Sequence, residues 1–138
     1  MIKHVLIAFD GSESAQKAYL FALDIAKKYG ADLYVLAVAR PPEFGDEVET
    51  EAIIENSRKH YEKVLAPLKA QTSSAGVRLH FDIVVGHPAE QIVIYAEKHS
   101  VDHIIVGHRG RTLFKRWLMG SIARQILAHA HCAVTVVR

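Results

Sequence analysis

The residues best suited to chemistry lie near the end of the chain, where Gly107-His108-Arg109-Gly110 is followed by nine residues and then Gly120-Ser121. Glycines let backbone N–H groups approach a ligand closely, and a helix start adds unpaired donors and the positive end of a dipole. An anion, and in particular a phosphate, is the guest such a segment suits. Arg109 is the side chain expected to reach it, because a guanidinium forks onto paired oxygens. Arg111, Lys115 and Arg116 read as a solvated basic face. A loop that merely turns the chain is the plainer reading of the same glycines. Ser121 suits either the N-cap of the following helix or a hydroxyl donated to phosphate.

A second candidate is Asp10, which follows the apolar run Val5–Phe9 and precedes Gly11-Ser12. A carboxylate there suits the hydroxyls of a ribose, or a Mg2+ ion. It equally suits the cap of the helix that follows. Nine histidines invite a metal reading, but His99/His103 and His129/His131 fall at helix ends, without a supporting carboxylate or thiol at ligand spacing. His108 stands apart because it lies inside the glycine segment. The sequence holds no G-x-S-x-G elbow, no Walker loop and no G-x-G-x-x-G after its first strand. No general base or nucleophile is identified, and no catalytic residue is assigned.

The elements that must position these residues alternate between strand and helix. Val5–Phe9 is a continuous apolar run, so a central strand. Ser12 is expected to cap a helix with the inward stripe Ala15, Ala18, Tyr19, Ala22, Ile25, Ala26 and Tyr29, ended by Gly30. Leu33–Val38 forms the second strand, stopped at Pro41-Pro42. Glu43–Glu55 reads as an acidic loop entering a helix that bears Ile54, Tyr61, Val64, Leu65 and Leu68 and kinks or ends at Pro67. Residues 77–85 alternate like a strand near a sheet edge. Pro88 opens a short helix with Ile92, Val93 and Ala96. Ile104–Val106 is the fourth strand, residues 121–130 a helix carrying Ile122, Ile126 and Leu127, and Ala133–Val137 the fifth strand. Such alternation predicts an α/β fold, Rossmann-like, with an open parallel sheet and helices on both faces.

Composition bounds the rest. The 138 residues are half apolar, with 23% charged and a net charge of +2, which suits one globular domain spanning residues 1–138. That charge is too small and too mixed for a general nucleic-acid binder, and no apolar stretch matches a membrane span. Met1–Val5 runs straight into the first strand without a leader pattern. The single cysteine, Cys132, reads as a packing residue and fits a reducing compartment. A cytoplasmic protein is expected.

The G-x2-G-x9-G-S segment resembles the nucleotide-binding signature of the universal stress protein family. Ala8-Phe9-Asp10-Gly11-Ser12 resembles the opening motif of that family, Gly86-His87-Pro88-Ala89-Glu90 its entry to the third helix, and Val134–Arg138 its closing strand. The resemblance covers essentially the whole chain. It implies five strands in the order 3-2-1-4-5, with the crevice between strands one and four, where Asp10 and Gly107 both end. It further implies ATP, or AMP or ADP, with Mg2+ at Asp10. The nucleotide site then comprises Ala8, Phe9, Asp10, Gly11, Ser12, Val38, Ala39, Gly107, His108, Arg109, Gly110, Gly120, Ser121 and Ile122, with backbone groups at Val38 and Ala39 reading the adenine edge. The family commonly enters its last strand through Cys-Pro, whereas this chain has Cys132-Ala133.

Three functions follow as expectations: a nucleotide-occupied stress-response switch, a dimeric interaction protein of the same fold that ignores nucleotide, or a slow Mg2+-dependent ATP hydrolase. The intact glycine segment favours the first over the second, and the missing base favours it over the third. A homodimer paired through Ala133–Val137 is expected, since an apolar edge strand otherwise exposes unpaired backbone groups. The sequence names no protein partner.

Overall fold

Within each apolar run, successive side chains feed opposite faces of one sheet, as strand geometry requires. Val5, Ile7 and Phe9 enter one core with Leu33, Val35, Ala37 and Ile105, while Leu6, Leu36, Ile104 and Val106 enter the other. A strand buried on both faces needs apolar residues at consecutive positions, so these segments lack a polar alternation. The structure, a computed structural model, describes residues 1–71, 76–108 and 119–138.

The strands are β1 (His4–Ala8), β2 (Asp32–Ala39), β3 (Leu79–Val85), β4 (His103–Gly107) and β5 (Ala133–Val137). All pair in parallel, in the order β3-β2-β1-β4-β5, as expected. Helices α1 (Glu13–Tyr29) and α2 (Glu47–Ala70) cover one face. Helices α3 (Pro88–Lys98) and α4 (Ser121–His129) cover the other. Because β1 connects outward to β2 and its second neighbour is β4, the strand order reverses between β1 and β4, which opens a crevice at their carboxyl ends.

Helix α1 begins and ends where its residues dictate. Ser12 Oγ accepts the Ala15 N–H at 3.1 Å, and Gly30 closes the helix in the left-handed conformation at φ 63°. Of the expected stripe, Ala15, Ala18, Tyr19, Ala22 and Ala26 are buried and Ile25 half-buried, but Tyr29 is exposed, being in the last turn beyond the sheet.

Helix α2 departs from expectation at both ends. It starts at Glu47, inside the segment expected to be a loop, because Asp46 Oδ1 accepts the Glu49 N–H at 2.8 Å and acidic residues occupy the positive end of the dipole. These turns show no apolar periodicity because they lie against no core. At the other end, Pro67 neither stops the helix nor ends it early, and α2 runs on to Ala70. Pro67 and Lys63 are both exposed, so the carbonyl that loses its helical partner is open to water.

Pro88 opens α3 as expected. In α4 the buried pair is Ala123 and Ile126, while Leu127 is exposed. The N-cap of α4 is Gly120, so Ser121 is the first helical residue and not the cap. Cys132 is half-buried, and burial pushes its thiol up from its ordinary value while a backbone hydrogen bond at Ile104 pulls it back in part. This is the behaviour of a packing residue. No described helix is long and apolar enough to cross a membrane.

Candidate functional site

At the carboxyl end of the sheet lies a cavity of about 410 Å3. Strand ends supply its floor, through Ala8 from β1 and Phe9 just after it, Leu36 and Val38 from β2, and Val106 and Gly107 from β4. Its walls come from α1, α2, α3 and α4.

The two halves of the glycine segment meet through the backbone of His108. Its N–H donates to the Val137 carbonyl at 2.7 Å, and its carbonyl accepts the Gly120 N–H at 3.0 Å. The chain thus leaves β4 and returns to start α4 at nearly the same point. Buried at 8% exposure, the His108 side chain also lines the cavity.

The start of α4 is open. Gly120 has no side chain with which to cap, and the first helical hydrogen bond is from Arg124 N–H to the Gly120 carbonyl. The N–H groups of Ser121, Ile122 and Ala123 therefore lack intrahelical acceptors. All three of these residues line the cavity. A Ser or Asp at the cap position would satisfy one of these donors internally; glycine leaves them for a ligand.

Gly107 is a glycine for a different reason. A Cβ there would fall 2.7 Å from Ser14 Cβ and 2.9 Å from the Ser14 carbonyl carbon. Its hydrogen lets the first turn of α1 lie directly on the end of β4, drawing the two halves of the crevice together.

Asp10 makes the turn into α1, its Oδ1 accepting the Ser12 N–H at 2.9 Å. The capping and site roles therefore coexist, for Asp10 also lines the cavity and is the only carboxylate among the described lining residues. That composition fits Mg2+, which takes one or two protein carboxylates and completes its shell with phosphate oxygens and water. Among the described residues no group of three or more His, Cys, Asp and Glu side chains is placed to hold a metal.

Ten of the fourteen predicted nucleotide-site residues line the cavity: Ala8, Phe9, Asp10, Ser12, Val38, Gly107, His108, Gly120, Ser121 and Ile122. Gly11 and Ala39 do not. Gly11 turns at φ +84° toward Val64, and the Ala39 carbonyl accepts the Gly86 N–H at 3.0 Å. Arg109 and Gly110, with Arg111, Lys115 and Arg116, lie outside the described residues. Sequence reasoning passed over Arg40, Tyr61, Pro88 and Ile92, which also line the cavity. Arg40 directly follows β2 and was legible as a rim position. Tyr61 looked like one more residue of an apolar helical stripe.

Fold and cavity together define a class: an open, doubly wound α/β protein with an anion-receptive crevice at the switch point of its sheet. The profile of the universal stress protein family matches residues 1–138. A universal stress protein of Methanocaldococcus jannaschii is 33% identical over 141 residues, spanning 100% of this chain and 83% of its own. The solved UspA of Lactobacillus plantarum superposes with a TM-score of 0.90 at 25% identity, over 99% of this chain and 97% of that one. A universal stress protein solved in complex with cAMP shares the fold at a TM-score of 0.76 and 22% identity, over 99% of this chain and 97% of its own. The chain belongs to the universal stress protein family.

Proposed function

We propose that the protein binds an adenine nucleotide, ATP with Mg2+ foremost, in the crevice between β1 and β4, and that occupancy is its signal in a stress response. The observation that carries this reading is the uncapped start of α4, whose first three residues, with N–H groups that lack helical acceptors, line the same cavity as Asp10. Phosphates would lie on those donors, assisted by Arg109 and Gly110, with ribose or Mg2+ at Asp10 and the base toward Val38. The complex of a family member with cAMP supports the choice of an adenine nucleotide. In this reading the chain works as one domain in the cytoplasm, binding neither nucleic acid nor membrane.

Occupancy rather than turnover suits the site, because hydrolysis needs a positioned water as well as charge neutralisation. Asp10 is already engaged by the Ser12 N–H, and among the described residues that line the cavity it is the only carboxylate. The functional unit is a homodimer joined through β5. That strand has only one neighbour in the sheet, β4, so among the described residues its other edge is free to pair with a second copy. Light scattering at twice the chain mass is the expected result, and a monomer at micromolar concentration removes the dimer.

Calorimetric titration with ATP, ADP and AMP, with and without Mg2+, tests the nucleotide reading. Binding tighter than about millimolar, roughly 4 kcal/mol, is expected. The reading fails if none of the three binds at that level.

A further inference from the structure

Helix α2 is longer than the strands it crosses. Its 24 residues span about 36 Å at ~1.5 Å each, whereas the seven residues of β3 reach roughly 23 Å. Its buried residues, Leu65 and Leu68, lie in the carboxyl-terminal half. The amino-terminal half therefore overhangs the carboxyl edge of the sheet. Between this overhang and the end of β2 lies a second cavity of about 440 Å3, lined by Arg40, Ile53, Asn56, Ser57, His60 and Tyr61. Arg40 and Tyr61 line both cavities, so the two are contiguous.

The lining has a consistent chemistry. From Ile53 the helical residues fall at i, i+3, i+4, i+7 and i+8, one face of α2. Three of the five are polar and neutral or cationic, where the carboxyl-terminal half of the helix presents Val64, Leu65 and Leu68 to the core. Guanidinium, amide, hydroxyl and imidazole side chains line one groove, with Arg40, Asn56 and His60 exposed, and no carboxylate is among the described lining residues. Asp46 accepts the Glu49 N–H and lies outside the lining, as do Glu43, Glu47, Glu49, Glu51 and Glu55. Among the described residues Arg40 has no hydrogen-bond or ion-pair partner. A fork of unpaired donors beside neutral donors is a phosphate receptor.

Position sets what the phosphate belongs to. From β4 to β2 the main crevice crosses two strand spacings, about 10 Å, the reach of a mononucleotide from phosphate to base. A group held at Arg40 lies past that span, at the opposite end from the start of α4. We propose that the groove is a second phosphate subsite, filled by a free pyrophosphate bound beside the nucleotide. This rests on the nucleotide reading of the main crevice.

Calorimetry tests the subsite. AMP is titrated with and without saturating pyrophosphate, and affinity roughly tenfold tighter is expected with it. Arg40→Gln should bring that gain below about threefold, and His60→Ala should reduce it in part. Equal affinities with and without pyrophosphate, or a gain that survives Arg40→Gln, overturn the subsite while leaving AMP binding, and hence the nucleotide reading, intact. Should AMP itself fail to bind, the nucleotide reading falls, and pyrophosphate titrated alone still decides the groove: binding lost in Arg40→Gln supports it, and no binding overturns it.

Discussion

The two ends of the sheet use their polar groups in opposite ways. At the amino end most of the groups pair with one another. Asp32 takes an ion pair from Arg78 and a 3.0 Å contact from His80 Nε2. The Tyr95 hydroxyl donates to Asp82 Oδ2 at 2.6 Å, His103 Nε2 lies 2.6 Å from Thr135 Oγ1, and Asp102 Oδ2 accepts the N–H groups of Lys3 and His4. Tyr34 is stacked on His80 and packs near Tyr95 and His99, which stack on each other at 3.9 Å. Histidines and carboxylates abound there and pair largely with one another, although His4 Nδ1 and Asp102 Oδ1 are buried without a hydrogen-bond partner among the described residues. At the carboxyl end the described lining holds glycines, Ser12, Ser121, His108, Arg40, Tyr61 and one carboxylate, and the backbone donors of α4 remain open. An open run of backbone donors beside a cavity marks the site better than reactive residue types do.

Two glycine substitutions break this comparison most sharply, because the two glycines serve the crevice differently. In Gly107→Val the new side chain meets the backbone of Ser14, and overpacking of this kind costs about 3 kcal/mol. Its thermal melt should fall by many degrees whether or not nucleotide is present. Gly120 has φ −61° and ψ 151°, which any residue adopts without strain, so Gly120→Val should keep the unliganded melting temperature and lose nucleotide affinity by at least about 100-fold, roughly 2.7 kcal/mol. Full affinity in folded Gly120→Val would show that the glycine serves the loop alone.

Asp10→Asn sharpens the same contrast at a smaller scale. The amide oxygen can still accept the Ser12 N–H, so the turn survives while the charge is lost. The affinity gained by adding Mg2+ to ATP should shrink about tenfold, near 1.4 kcal/mol, and AMP binding without metal should change much less. An unchanged Mg2+ effect would remove Asp10 from the metal shell.

What the sequence revealed follows from the same distinction. The apolar runs of β1, β2 and β4 announced themselves because burial on both faces demands unbroken hydrophobicity. Ser12 and Gly30 marked the ends of α1 because capping and the left-handed conformation demand those residue types. The strand order was not a matter of periodicity; it came with the resemblance. The first turns of α2 were invisible because an exposed, overhanging helix needs no apolar stripe, and only Asp46 signals its start. The packing duty of Gly107 was hidden too, since its neighbour Ser14 is adjacent only in space. Arg40 and Tyr61 were missed for a related reason: a wall built by an overhang has no local signature.

The smallest expected effects lie at the amino end, where titration should alter stability and leave nucleotide binding alone. Burial pushes the Asp32 carboxyl up, but hydrogen bonds and charge from His80 and Arg78 outweigh it and hold the group below its ordinary value of 3.8. A depressed carboxylate contributes stability that is complete above its unfolded pKa and lost as pH falls through the folded one, so this contribution declines below about pH 4. His103 is depressed from 6.5 by burial, which outweighs the nearby Asp102. Its folded state prefers the neutral ring, so stability falls as pH drops below 6.5 and levels off below the folded pKa. Each group adds a slope of at most about 1.4 kcal/mol per pH unit. Melts recorded from pH 3 to 8 on wild type, Asp32→Asn and His103→Gln should lose the acid step in the first variant and the step just below pH 6.5 in the second. At pH 7 Asp32→Asn should cost no more than roughly 1 kcal/mol, because Arg78 and His80 are largely exposed. Both variants should bind nucleotide as wild type does at that pH. A loss of affinity above about threefold in either would mean that the two ends of the sheet are coupled, and that internal satisfaction at the amino end does not make it silent.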